Sequence, residues 1–161
     1  VEWKGQQFVA EMRGLTQQLN STIGEHYTPG CRAQLGDHRC KVHLPDFSVS
    51  GTVSGGGDRH QFTDGARAEA NDYFSYGRVH FTSGDNNGLE MEIKSYGNGQ
   101  FVLALPMPFA IAAGDTYEAI AGCDKRFTTC AQRFGNALNF RGEPHVPGTD
   151  RILETASTRR R

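Results

Sequence analysis

Apolar residues Phe8, Met12, Leu15 and Leu19 are spaced 4, 3 and 4 apart, with Glu11, Arg13, Gln17 and Gln18 between them. One apolar stripe at that spacing predicts an amphipathic helix over residues 4–20, ended by Asn20-Ser21 and Gly24. Residues 26–40 then read as a loop carrying Pro29-Gly30 and two cysteines. From Lys41 the period drops to two. Val42 and Leu44 flank His43, and Phe47, Val49 and Val53 predict a second short strand before Gly55-Gly56-Gly57. A polar stretch without clear period follows, and Tyr73 to Thr82 reads as a strand. Leu89, Met91 and Ile93 alternate with Glu90, Glu92 and Lys94 after the turn-rich run Ser83 to Gly88. Asn98-Gly99 supplies a tight turn into Gln100–Leu105, because both residues tolerate positive φ. Gly114-Asp115 leads into a strand over Thr116–Ala121. Ala131–Phe140 reads as a short helix and Pro144 to Pro147 as an irregular loop.

Short strands joined by Gly/Asn turns behind one helix predict a mainly β, α+β fold. An N-terminal amphipathic helix would pack on a small antiparallel barrel or sandwich. The expected organisation is a single domain over 1–150: helix 4–20, cysteine loop 26–40, strand-rich barrel 41–121 and a second cysteine segment 122–150. A basic tail, 151–161, closes the chain.

Seventeen basic and eighteen acidic residues among 161 leave a net charge of −1, a balance unlike that of proteins built to grip phosphate backbones. The last eleven residues hold four Arg and one Glu, a local +3 that most simply marks a solvated terminus. The most apolar region, Phe101 to Ala113, is interrupted by Pro106 and Pro108, so no membrane-spanning segment is expected. The chain opens Val1-Glu2-Trp3-Lys4 without Met or a secretory signal, which reads as the later part of a longer or processed chain.

The cysteines carry the strongest chemical signal. Cys31 and Cys40 are separated by eight residues, Cys123 and Cys130 by six, and the pairs bracket the strand-rich middle. Disulfides, a metal site and unrelated core thiols all fit four cysteines. A chain of this length needs no staple to fold, which weakens disulfides. Structural zinc prefers gaps of two to four residues, whereas iron–sulfur clusters accept more varied spacing. Lys125 and Arg126 would offset thiolate repulsion, and Gly30 and Gly122 would permit N–H···S bonds beside Cys31 and Cys123. Spacing favours a metal centre and leaves iron–sulfur and zinc both open.

The run Ala121-Gly122-Cys123-Asp124-Lys125-Arg126-Phe127-Thr128-Thr129-Cys130 continues into Arg133-Phe134-Gly135-Asn136 and Asn139-Phe140-Arg141-Gly142. With Pro144-His145-Val146-Pro147-Gly148 and the earlier Leu105-Pro106-Met107-Pro108, it resembles a phage conserved hypothetical family that includes gene transfer agent hub proteins. The two cysteine pairs are also similar to those of lambda-type tail tip proteins, although 82 residues separate the pairs here. The resemblance implies a [4Fe–4S] cluster, with zinc as the alternative, held by Cys31, Cys40, Cys123 and Cys130. It joins the two cysteine loops, with Lys125, Arg126 and Phe127 around it. It also implies a structural rather than enzymatic virion protein at the tail tip, assembled in the bacterial cytoplasm. Such a protein forms a homo-oligomeric ring, a trimer, below the distal tail protein and holds a central spike or fibre protein. DNA would pass through the ring's lumen.

Other residues attract weaker readings. His38 is a surface group near Cys40, His43 and His80 belong to polar strand faces, His60 to a loop, and His145 to loop packing. A Cys–His peptidase using Cys31 or Cys123 with His145 lacks any mark of an activated thiol. Gly55-Gly56-Gly57 lacks the Lys-Ser/Thr of a phosphate loop and reads as a flexible connection. Phe127, Phe134 and Phe140, at intervals of 7 and 6, are expected to cover the cluster. A soluble iron–sulfur electron carrier and a zinc-stapled binding module are the readings from other classes.

Overall fold

β-Branched and aromatic residues alternating with polar ones build six strands: β3 (Ser48–Thr52), β4 (Gln61–Thr63), β5 (Arg78–Phe81), β6 (Glu90–Gly97), β7 (Gln100–Leu103) and β8 (Thr116–Ile120). The computed structural model describes residues 24–146 and two N-terminal strands, β1 (Glu2–Lys4) and β2 (Gln7–Val9). The six strands form one antiparallel sheet in the order β3-β8-β5-β6-β7-β4. Gly55 just after β3 bridges Thr63 of β4, so the sheet curls into a half-barrel whose edges meet at one end.

The pleat sends one set of side chains into the curl. Val79 and Phe81 of β5, Phe101 and Leu103 of β7, and Tyr117 and Ala119 of β8 are fully buried. Phe62 stacks on Phe101 with centroids 4.7 Å apart and meets Phe81 and Tyr117 edge-on. Phe74 stands at 90° to Tyr96. Each such ring contributes on the order of 2–3 kcal/mol by leaving water, and each pair a further ~1 kcal/mol. A slip in register between Ile93 and Ser95 makes β6 bury Ile93 and Tyr96, three positions apart, where strict alternation would have buried Ser95. At one end the Tyr117 hydroxyl donates to Asp64 Oδ2 at 2.7 Å, and the Ala66 N–H donates to Oδ1 at 2.9 Å, which satisfies a buried carboxylate.

Several expectations are corrected. Residues 7–9, assigned to the predicted helix over 4–20, form β2, which pairs with β1 so that Trp3 faces Phe8 in the register. The other apolar residues of that stripe, Met12, Leu15 and Leu19, fall among residues 10–23, which lie outside those described. Val42 and Leu44 make no strand. Lys41 has φ 61°, Val42 is buried by a loop, and Leu44–Phe47 is a 3-10 turn started by Pro45. Gln61–Thr63, hidden in the polar stretch, is a strand because Phe62 alone anchors it.

The predicted strand Tyr73–Thr82 shortens to Arg78–Phe81, since Asp72 and Tyr76 turn at positive φ. Gly55-Gly56-Gly57 is no flexible connection: the Gly57 N–H donates to Ile111 O at 2.6 Å, and a side chain on Gly56 would strike that carbonyl. The helix α1 covers Phe127–Gln132, earlier than expected, and Gly135 at φ 59° stops it before a 3-10 turn at Ala137–Asn139. The basic tail lies outside the described residues. Among those described, no helix is long and apolar enough to cross a membrane.

Candidate metal centre

A second, smaller core sits at the end of the half-barrel. Ala33, Cys40, Val42, Ala121 and Phe134 form it, with Cys31, Leu35, Phe47, Tyr73 and Cys123 packed around them. Three chain segments meet there: the loop bearing Cys31 and Cys40, the exit from β8 bearing Cys123, and α1 bearing Cys130. The Cys31 N–H donates to Lys125 O at 2.8 Å, Arg32 N–H to Arg141 O at 3.0 Å, and Glu143 N–H to Thr28 O at 2.8 Å. Two loops about a hundred residues apart in sequence are thus laced together by backbone bonds.

Side chains tighten the same seam. Arg32 grips Glu143 through both terminal nitrogens and reaches Glu25 with Nε at 2.9 Å. Arg133 donates to the Gly122 and Tyr73 carbonyls at 2.7 and 3.0 Å and lies over the Tyr73 ring, which fixes α1 to the end of the sheet.

Three of the four cysteines predicted as ligands, Cys31, Cys40 and Cys123, pack in this core, and Cys130 on α1 meets Cys40 through Asn136, which contacts both. Cys40 and Cys130 are buried, Cys31 and Cys123 half-buried, and all four are free thiols. Burial pushes the Cys130 thiol up to about 11, helped by the charges of Cys31, Cys123 and Cys40, and burial likewise raises Cys123. Among the described residues, however, no three His, Cys, Asp or Glu side chains are drawn together closely enough to hold a single metal ion.

Two sulfurs face N–H donors. The Arg141 backbone N–H donates to Cys31 Sγ at 3.4 Å, and the Asn136 amide to Cys40 Sγ at 3.6 Å. Cys130 Sγ–H donates to Asn136 O at 3.4 Å. Donors aimed at sulfur favour the thiolate, the form that binds metal.

The expected neighbours behave differently from one another. Lys125, at φ 64°, donates from Nζ to Ala33 O at 2.6 Å, and its charge favours the Cys123 thiolate. Arg126 is exposed and reaches only Asp124, at 3.8 Å. Phe127 and Phe140 pair edge-to-face at 5.2 Å, and Phe127 is exposed. Phe134 alone of the three joins the core around the cysteines, against Phe47 at 4.9 Å.

The Gly122 N–H donates to Tyr73 O and not to sulfur, and a side chain on Gly122 would collide with Ser75 O, so close backbone approach explains that glycine. The donors Asn136 and Arg141 escaped the sequence reading; Gly135 just before Asn136 was the available signal, because a left-handed residue returns the chain toward α1.

His38 and His145 are exposed, and His43 sits in a turn with Nδ1 3.1 Å from Asp46 Oδ1 rather than on a strand. His80 lies on the outer face of β5, opposite Glu90 and Glu118, as its alternation predicts.

Comparison with known proteins agrees with the C-terminal motif. Residues 72–150 match the family described as phage conserved hypothetical protein BR0599, and residues 1–43 match the N-terminal attachment domain of baseplate hub proteins. A chain in the virion of a native gene transfer agent particle aligns with a TM-score of 0.71 and 34% identity, over 89% of this chain and 52% of that one. The protein thus spans about half the length of that solved relative. No curated protein matches it. The chain is thus similar to baseplate hub proteins over residues 1–43, to a conserved phage family over residues 72–150, and to a gene transfer agent virion chain over most of its length.

Proposed function

We propose that this protein is a structural hub at the tail tip of a siphophage-like particle or gene transfer agent, with a [4Fe–4S] cluster stapling its two cysteine loops. The observation that carries the reading is that Cys31, Cys40 and Cys123 pack in one apolar core while the buried Cys130 meets Cys40 through Asn136, with N–H donors at two of the sulfurs. Cysteines grouped at the edge of an apolar core, with N–H donors beside their sulfurs, are surroundings that suit an iron–sulfur cluster.

The cluster would supply binding energy, not chemistry on a substrate. Lys125 and the N–H donors would balance thiolate charge, and Phe134 and Phe47 would keep water from one side. Backbone bonds already lace the two loops, so the cluster would enter a largely preformed site and lock it.

The hub reading rests on the baseplate hub and virion matches. In it, three copies form a ring below the distal tail protein, hold a central spike or fibre protein, and surround the path of the DNA. The test is the size of the complete chain mixed with its distal tail protein, measured by native mass spectrometry. A trimeric ring is expected; a chain that stays monomeric with that partner present contradicts the reading.

A further inference from the structure

We infer that Asn136 is the positioning residue that ties the two cysteine pairs into one metal centre, an inference that rests on the cluster reading above. Its side-chain Nδ2 donates to the Cys40 carbonyl at 2.6 Å and to Cys40 Sγ at 3.6 Å, across 96 residues of chain. Its backbone N–H donates to the Cys130 carbonyl at 3.0 Å, and its own carbonyl accepts from Cys130 Sγ at 3.4 Å. One residue therefore touches a cysteine of each pair, and it touches the two buried ones.

The amide is held in a fixed orientation. Asn139 Nδ2 donates to Asn136 Oδ1 at 2.7 Å, so the oxygen end is occupied and the donor end faces Cys40. Gly135, at φ 59°, supplies the left-handed turn that brings Asn136 back toward α1.

Metal binding changes these contacts in a defined way. On ligation Cys130 would release its S–H proton to water and with it lose the bond to the Asn136 carbonyl. The amide contact to Cys40 strengthens, because an N–H facing a thiolate is charge-assisted. Donors to ligand sulfur withdraw charge from a cluster and raise its reduction potential. Asn136 therefore sets both how tightly the centre is held and the potential at which it works.

The experiment uses the full chain purified without oxygen and compares Asn136→Ala, Asn136→Asp and Asn136→Gln with the unaltered protein. Iron and sulfide per chain, iron release to a chelator, and the reduction potential are read on each. Asn136→Ala is expected to lose iron about 10–100-fold more readily and to show a more negative potential. Asn136→Asp, which sets a carboxylate against both the Cys40 carbonyl and its sulfur, is expected to be worse, and Asn136→Gln to recover part of the loss. Asn139→Ala touches no cysteine and frees the amide to rotate. It is expected to shift the potential in the same direction by less, and it serves if the Asn136 variants fail to fold. Iron-loaded Asn136→Ala and Asn139→Ala with unaltered potential and release rate overturn this inference alone. An unaltered protein that carries no metal overturns the cluster reading, and this inference with it.

Discussion

Arg32 and Glu143, 111 residues apart in the chain, meet in a two-pronged ion pair with nitrogen–oxygen distances of 2.7 and 2.9 Å. Arg32 immediately follows Cys31, and Glu143 closes the segment that carries the second cysteine pair. The pair therefore spans the same two loops that the proposed cluster joins, and it holds them without metal. Glu25 extends it, bonded to Arg32 and to Arg39.

This seam should loosen in acid. The hydrogen bonds from Arg32 hold the Glu143 carboxyl below the usual carboxylate range, and those from Arg39 and Arg32 do the same for Glu25. A carboxyl with a depressed folded-state pKa contributes stability above its unfolded pKa and loses it as pH falls through the folded value. Melting temperature followed downward from neutral pH should drop below about pH 4.5, and the drop should be smaller in Glu143→Gln. An equal acid slope in both proteins would dissociate the pair from stability.

Tyr117→Phe removes the one hydroxyl that donates to the buried Asp64 carboxylate at 2.7 Å. The ring still packs, so the cost comes from an acceptor left short of a partner, about 1–3 kcal/mol in denaturant unfolding. A loss under about 0.5 kcal/mol would mean that water or Arg67 takes the place of the hydroxyl.

Phe62→Ala empties the centre of the half-barrel, where Phe62 touches Phe101, Phe81 and Tyr117. Unfolding should become easier by about 3–5 kcal/mol. Phe127→Ala, at an exposed ring, should cost far less. Similar losses for the two would contradict the placement of the core.

Arg133→Lys keeps the charge and loses the fork that reaches the carbonyls of Gly122 and Tyr73. About 1–3 kcal/mol of stability should go with it. Because those bonds dock α1, amide exchange should rise in Phe127–Gln132 more than in β5 or β8. Uniform exchange across the chain would argue that α1 has no such anchor.

Much of the half-barrel is legible in the residues. β7 and β8 alternate cleanly, and Asn98-Gly99 turns at φ 51° and 75°, as the pair's tolerance of positive φ predicts. β6 is legible only up to Ile93, since the register slip that swaps Tyr96 for Ser95 leaves no trace in a period-two pattern. β4 is invisible because three residues with one apolar side chain have no period. The four cysteines stand out by type and pairing, and the loops that carry Cys31, Cys40 and Cys123 meet in one small core beside the half-barrel. The donors to their sulfurs come mainly from backbone or from an asparagine after a glycine, and such contacts depend on where turns bring the chain, which composition does not encode.

The central claim, a [4Fe–4S] staple on these four cysteines, is tested most directly by iron and acid-labile sulfide content, with a visible spectrum, on protein purified without oxygen. About four iron and four sulfide per chain are predicted, with both lost in Cys31→Ser and Cys130→Ser. One zinc per chain without sulfide, or no metal in the anaerobic sample, would contradict it.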